Sequence, residues 1–158
     1  MTYAEKQCVE FDRFKIYYND PHDISAIIEV FVLDVYCTKN VHQGDTVVDI
    51  GAGIEEFALL ASRRAGSKGK VIAIEPSPED YATLLLNIKE KGCNNVIPLN
   101  MAVSDKPGML ELEFKGKQFY SKSDALDSIL HSLNIQWSSV KFMKMDIEGG
   151  GGTPCHSI

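Results

Sequence analysis

The sequence of 158 residues lacks the features that mark zinc proteins and nucleic-acid-binding proteins. It has only four cysteines, no two of which form a Cys-x-x-Cys pair, and its four histidines do not group near them. We therefore expect reduced thiols and no metal site. The 22 acidic residues outnumber the 16 basic ones, and the formal net charge is −6. Because phosphate binding needs a basic surface, this balance argues against nucleic acid as a partner.

Long apolar runs are also missing from the sequence. The first eleven residues carry several charges, so we expect no signal peptide. The most apolar stretch, 24–37, is too short to span a bilayer and contains Glu29 and Asp34. We therefore expect a cytoplasmic protein that makes no membrane contact.

Short apolar runs and helical patterns alternate along the chain, which is typical of β-α-β units. Strands are predicted at 46–50, 70–75, 95–100 and 140–146, and helices at 55–65, 77–91 and 125–133. Between the last two helices, a half-exposed strand is expected at 109–114 and a polar loop at 116–122. This order predicts an α/β fold of Rossmann-like type, with a mostly parallel, doubly wound sheet and flanking helices.

We expect a single domain over 1–150. A helical lead-in (1–43) would contain a short strand at 14–18 and an amphipathic helix whose apolar residues run from Ile24 to Val35. The cofactor-binding core would follow at 44–149 and a glycine-rich flexible tail at 149–158.

A glycine turn stands where the first core strand meets the first core helix. It reads Asp-Ile-Gly-Ala-Gly at 49–53. Gly51 and Gly53 let the backbone turn sharply and approach a ligand closely, and the next helix directs its free N–H groups to the same place. Alone, the pattern also fits a simple tight turn.

A single acid closes the second core strand. Glu75 lies 26 positions after Asp49, where a carboxylate could accept both hydroxyls of a ribose. An ordinary exposed acid at a strand end is the alternative. Together, the glycine turn and Glu75 favour a cofactor that contains adenosine.

The charge near the turn distinguishes between adenosine cofactors. A dinucleotide fingerprint needs a third glycine at position 56, where this chain has Glu56. An acid there would repel a pyrophosphate, whereas S-adenosylmethionine has no phosphate and carries a sulfonium cation. The sequence therefore favours S-adenosylmethionine over NAD.

Five segments, in order, make the chain similar to the FkbM family of methyltransferases over about 36–149. They are Val-Asp-Ile-Gly-Ala-Gly at 48–53, Ala-Ile-Glu-Pro-Ser-Pro at 73–78, Ala-Val-Ser-Asp at 102–105, Leu-Asp-Ser-Ile-Leu at 126–130 and Lys-Met-Asp-Ile-Glu-Gly at 144–149. The second and the fifth segments are the most specific.

The resemblance implies that residues in or beside the first three segments bind S-adenosylmethionine. The cofactor-binding residues would be Asp49, Gly51, Ala52, Gly53, Glu75, Pro76, Ser77, Met101 and Ala102. Of these, the glycine turn would contact the methionine portion and the ribose, Glu75 would hold the ribose hydroxyls, and the last four would border the adenine.

The family is similar to enzymes that methylate hydroxyl groups, so the expected acceptor is a sugar, another glycan or a small metabolite. Asp146 and Glu148 would face the methyl-transfer cleft. Asp146 is the candidate catalytic residue, either as the base or as a group that orients the acceptor. A capping role for Asp146 in the next segment is the alternative.

The sequence departs from the family pattern in two places. Glu55 stands where the family has a small residue, so it could crowd the cofactor or meet its amino group. After Glu148 the family continues with a further helix and strands, whereas this chain runs into four glycines at 149–152. A truncated or frameshifted gene, or a fragment, is the simplest explanation, and a natural short variant is the alternative.

The departure from the family pattern after Glu148 changes what we expect of both assembly and activity. Without further strands, the strand at 140–146 would be an exposed edge, which favours a homo-oligomer. Two functions remain open: an active O-methyltransferase, or a module that binds S-adenosylmethionine without transferring the methyl group. An NAD-dependent oxidoreductase is disfavoured.

Overall fold

The computed structural model describes residues 6–11 and 14–146, so Glu148 and the expected tail at 149–158 lie outside the described residues. The elements are β1 (Gln7–Phe11), β2 (Phe14–Tyr18), α1 (Pro21–Phe31), β3 (Thr46–Ile50), α2 (Glu56–Ala65), β4 (Lys70–Ile74), α3 (Pro78–Lys91), β5 (Val96–Leu99), β6 (Ala102–Val103), β7 (Gly108–Phe114), β8 (Lys117–Asp124), α4 (Leu126–Ser132) and β9 (Val140–Met145). None of the helices within these ranges is long and apolar enough to cross a membrane.

Four parallel strands form the central sheet in the order β5-β4-β3-β9. Strands β3 and β4 are buried on both faces, as their nearly continuous apolar runs indicate. One face packs on a core that includes Phe57 of α2 and Leu84 of α3, and the other packs on Ile129 and Leu130 of α4. Helices cover both faces, which confirms the Rossmann-like, doubly wound fold.

Local signals set the ends of the helices. Ser77 caps α3 by accepting a hydrogen bond from the Asp80 N–H, and Pro78 takes the first helical position. Gly92 ends α3 with a left-handed φ of 63°, and Gly66 ends α2 with a φ of 65°. Pro98 lies in β5, an edge strand, as its lack of an N–H requires.

The lead-in differs from the prediction because it begins with a β-hairpin, in which β1 pairs antiparallel with β2. The following helix ends at Phe31, since Asp34 and Cys37 take left-handed φ angles of 47° and 52°. A capping box between Asp20 and Asp23 starts this helix.

The burial of the apolar residues in and after α1 differs from the predicted stripe. Ile27 and Val30 are in the core, whereas Ile28, Val32 and Val35 are exposed. The apolar stripe predicted from the spacing is therefore only partly right.

The polar segment at 116–122 is a strand, not the predicted loop. Lys115 and Gly116 both have left-handed φ angles, of 50° and 72°, and they join β7 to β8 in a tight hairpin. One face of this hairpin lies in solvent, and β8 consists mainly of polar residues. Its sequence therefore lacks the apolar alternation that would indicate a strand.

The inner face of α3 also differs from the prediction. Leu85 is exposed, and the buried polar residue Asn87 faces the β1–β2 hairpin. The Asn87 side chain accepts a hydrogen bond from the Tyr17 N–H at 2.9 Å and donates to the Tyr17 and Ile54 carbonyls, each at 2.9 Å. These bonds tie β2 to the start of α2.

Strand β9 is an edge of the central sheet within the described residues. Its apolar side chains are less bare than expected, because Val140 and Phe142 are buried and Met143 is half-buried. Met145 remains 47% exposed. Association of two chains through this edge stays a prediction.

Candidate functional site

A cavity of about 430 Å³ lies at the carboxyl ends of β3, β4 and β9, beneath the β7–β8 hairpin. Open α/β sheets bind ligands at this position, and the volume is within the usual range for small-molecule sites. The sequence-predicted residues that line it are Gly51, Ala52, Gly53, Glu75, Pro76, Ser77, Met101, Ala102 and Asp146. The fold therefore brings together residues that are almost a hundred positions apart.

The glycine turn is held tightly between β4 and β9. The N–H groups of Gly51 and Ala52 donate to the Ile74 carbonyl at 2.9 and 3.0 Å. Gly51 has a φ of 74°, and a Cβ added there would lie 1.9 Å from the Asp146 carbonyl oxygen. Only glycine fits this position, because both the backbone angle and the close approach exclude a side chain.

Glu75 joins the glycine turn to the turn after β4. Its carboxylate oxygens accept hydrogen bonds from the Gly53 N–H at 2.8 Å and the Ser77 N–H at 2.7 Å. The side chain is only 6% exposed, and this burial raises the pKa of Glu75 to about 7 although both N–H groups favour the charged form. The Asn100 side chain donates to the Glu75 and Pro76 carbonyls and fixes the same turn from the β5 side.

Asp49 lies behind the glycine turn rather than on the cavity wall. It is fully buried in β3 and forms an ion pair with Lys144, whose Nζ is 3.2 Å from Asp49 Oδ1. Burial raises the pKa of Asp49, and the lysine opposes this effect. Direct contact between Asp49 and a ligand, as expected from the motif, is therefore not supported by this geometry.

Asp146 is exposed at the end of β9 and lines the cavity. Its N–H donates to the Ile50 carbonyl at 2.9 Å, and the Tyr36 hydroxyl donates to its carboxylate. The carboxylate thus stands beside the glycine turn in a held orientation. The segment that it was alternatively expected to cap lies outside the described residues.

Acidic groups surround the end of the cavity near the glycine turn. Asp23, Glu56 and Asp146 all line it. Within residues 6–11 and 14–146, Glu56 forms no ion pair shorter than 4 Å, and its burial raises its pKa to about 8. A Cβ at Gly53 would lie 3.5 Å from Glu56 Oε2, which places this carboxylate beside the turn.

The side chain of Glu55 does not lie where the family resemblance led us to expect it. Its side chain is fully buried but is not part of the cavity wall, so it neither crowds a ligand there nor meets an amino group. Among the described residues, neither carboxylate oxygen has a hydrogen-bond partner; burial raises the pKa of Glu55, and the charge of Lys91 opposes this shift. Its φ of 114° turns it away from the cavity that Glu56 faces.

Sequence reasoning missed Tyr36 and Lys144, which both line the cavity. It also missed the apolar cover from the hairpin, where Leu110, Leu112 and Phe119 face the cavity. Lys144 is one of two lysines in the otherwise apolar β9 run, and this was the one available signal for it. Tyr36 gave none, because its partner Asp146 is 110 positions away.

The buried acids predict how stability depends on pH. The pKa of Glu56 (about 8) and that of Glu75 (about 7) are both raised above the unfolded value of about 4.5. Their stabilising contribution is complete below pH 4.5 and is lost as pH rises through 7 to 8. With these two pKa values, we expect the ligand-free protein to lose up to roughly 6 kcal/mol of stability between pH 5 and pH 8, measured by urea unfolding. The Glu56→Gln variant should show a clearly smaller loss, and an equal loss would contradict the assignment.

A family model and several solved structures resemble this chain. The model of the methyltransferase FkbM domain matches residues 49–152. No curated protein sequence matches the chain. Among solved structures, a SAM-dependent methyltransferase from Aquifex aeolicus is 25% identical, with 56% of this chain and 49% of that chain covered and a TM-score of 0.43.

Two further solved structures are described as complexes with a ligand. TYW2 of M. jannaschii in complex with AdoMet is 24% identical, with 60% of this chain and 42% of that chain covered and a TM-score of 0.45. TYW2 of P. horikoshii in complex with MeSAdo is 24% identical, with 66% and 39% covered and a TM-score of 0.47. The chain spans half or less of the length of these three proteins.

Proposed function

Because the chain belongs to the FkbM methyltransferase family, we propose that it binds S-adenosylmethionine in the cavity and methylates a hydroxyl group of a sugar or small metabolite. The position of Glu75 carries this proposal. Its carboxylate faces the cavity and uses one lone pair of each oxygen for the Gly53 and Ser77 N–H groups. A carboxylate has about four lone-pair sites, so two remain for the paired hydroxyls of a ribose.

The charges around the cavity support a cationic ligand. Asp23, Glu56 and Asp146 line it, and the only lysines of the described residues on its wall, Lys115 and Lys144, are already paired with Asp20, Asp23 and Asp49. A pyrophosphate would add negative charge beside the buried Glu56 carboxyl group and would raise its pKa still further. A sulfonium and an ammonium group instead supply the positive charge that Glu56 lacks.

The residues at the end of β9 suit methyl transfer. S-adenosylmethionine, when bound, supplies a methyl group on a positively charged sulfur that can depart as a neutral thioether. Asp146 stands where a hydroxyl acceptor in the open part of the cavity could give it a proton as the new carbon–oxygen bond forms. The glycine turn and Asp146 are in direct contact, so donor and acceptor would be aligned by one rigid unit.

Ligand binding tests this proposal. Isothermal titration should show binding of S-adenosylmethionine and of its demethylated product, S-adenosylhomocysteine, with much weaker binding of NAD. Glu75→Gln should weaken S-adenosylhomocysteine binding at least about tenfold, because charge-assisted hydrogen bonds are worth roughly 1.5–3 kcal/mol. Glu90→Gln, an exposed acid on α3, is the matched control and should bind as the wild type does. Tighter binding of NAD would overturn the proposal.

Transfer requires a separate experiment, since a binding module would pass the titration. The chain is incubated with methyl-labelled S-adenosylmethionine and a panel of sugars, glycans and hydroxylated metabolites. Label in an acceptor that resists mild base, which cleaves esters but not ethers, supports O-methylation of a hydroxyl. Tight cofactor binding without transfer to any member of the panel would favour the module without transferase activity.

A further inference from the structure

Lys144 occupies a position in β9 that is unusual for a charged residue. It is 5% exposed in the strand next to β3, and its backbone is in register with that of Asp49. Its Nζ atom lies 3.2 Å from Asp49 Oδ1 and donates a hydrogen bond of 2.6 Å to the Gly51 carbonyl. One ammonium group therefore binds both the acid that precedes the glycine turn and the first carbonyl of the turn.

The same ammonium group contacts a residue of the lead-in. Lys144 Nζ lies 5.1 Å from the centre of the Tyr36 ring, a distance at which a cation is attracted to an aromatic face. The Tyr36 ring also packs edge-on against Phe57, with ring centres 5.9 Å apart. These contacts fix the ring, and its hydroxyl donates to the Asp146 carboxylate.

These contacts join the cofactor side of the cavity to the acceptor side. The turn is bound to β9 through Lys144 and through the Asp146 N–H, which donates to Ile50. We propose that Lys144 is a positioning residue, which fixes the glycine turn against β9 and, through Tyr36, sets the direction of the Asp146 carboxylate. The proposal deepens the methyltransferase function and rests on it for the ligand-binding measurement alone.

These contacts give the buried ion pair of Lys144 and Asp49 a structural role. Two charges buried in a sheet add little net stability compared with apolar residues of the same size, because both lose their hydration. A pair that instead orients a carbonyl, an aromatic ring and a second carboxylate has a role that apolar residues could not perform.

The test uses a double variant, because Lys144→Met alone would leave the buried Asp49 carboxylate unpaired, which is strongly destabilising in itself. Asp49→Asn with Lys144→Met removes both charges and keeps the size of both side chains. Lys141→Met, on the same strand but exposed, is the matched control. Amide hydrogen exchange is measured by NMR without ligand, with the Ile72 and Ala73 amides of β4 as internal references for global stability.

In the double variant, the Gly51, Ala52 and Asp146 amides should exchange at least about tenfold faster relative to the β4 references, and S-adenosylhomocysteine affinity should fall at least about tenfold. Lys141→Met should leave both quantities as in the wild type. Unchanged relative exchange in a folded double variant would overturn the positioning role. If the wild type bound no S-adenosylhomocysteine, the proposed function would fail, while the exchange data would still decide the role of Lys144.

Tyr36→Phe tests the second half of the proposal. It removes only the hydroxyl and keeps the ring between Lys144 and Phe57. The ¹³C resonance of the Asp146 carboxyl carbon should move, whereas the Gly51 and Ala52 amides should exchange as in the wild type. Tyr81→Phe, whose hydroxyl donates to the Pro98 carbonyl away from Asp146, should leave the Asp146 resonance in place. An unmoved resonance in Tyr36→Phe would contradict the link from Lys144 to Asp146.

Discussion

Gly51→Ala is expected to lower S-adenosylhomocysteine affinity by at least about a hundredfold and to cost roughly 2–5 kcal/mol of stability. The new Cβ would lie 1.9 Å from the Asp146 carbonyl oxygen, and Gly51 has a φ of 74°. Neither partner can move easily, because the Gly51 N–H is bonded to Ile74 and the Asp146 N–H to Ile50. The variant must either unfold locally or separate the turn from β9, and both outcomes distort the proposed cofactor site.

The matched control for Gly51→Ala is Gly92→Ala. Gly92 also has a left-handed φ, of 63°, but a Cβ there would meet nothing within 4 Å. This control should lose only the cost of the backbone angle, about 1 kcal/mol, and should keep its affinity. Urea unfolding and isothermal titration measure both effects. If the two variants behaved alike, the contact between the turn and β9 would have no energetic importance.

Glu55→Gly is expected to make the protein more stable, by about 1–3 kcal/mol, or a rise of several degrees in Tm. Two costs are relieved: a φ of 114° in a residue other than glycine, and a fully buried carboxyl group whose oxygens have no hydrogen-bond partner in the part of the chain that the structure describes. Loss of the packed side chain offsets part of this gain. Because Glu55 is not on the cavity wall, S-adenosylhomocysteine affinity should be retained.

Two further variants separate the causes of this stabilisation. Asn134→Gly, at an exposed residue with a φ of 56°, relieves only the backbone angle and should give a smaller gain. Glu55→Gln keeps the backbone angle and removes the ionisable group. Burial raises the pKa of Glu55, so its contribution to stability falls as pH rises, and Glu55→Gln should lose less stability than the wild type towards alkaline pH. A destabilised Glu55→Gly would mean that Glu55 contributes packing that outweighs both costs.

The sequence alone determined the central sheet and the position of the cavity. The runs at 46–50 and 70–75 predict buried parallel strands because each is apolar on both faces, and Ser77, Pro78 and Gly92 define the ends of α3 through local backbone chemistry. Parallel strands all end at the same edge of a sheet. The residues that follow β3, β4 and β9 must therefore meet, which is why Gly51, Glu75 and Asp146 could be grouped before their distances were known.

The tertiary structure alone decided which charged groups face that cavity and which support it. Glu55 and Glu56 are neighbours of the same type, yet a φ of 114° sends the first into the core while the second lines the cavity. The register of β9 against β3 pairs Lys144 with Asp49, and the fold of the lead-in brings Tyr36 to Asp146, 110 positions away. A backbone angle in the left-handed region and contacts between distant segments depend on how whole elements pack, so no periodicity or local motif could have indicated them.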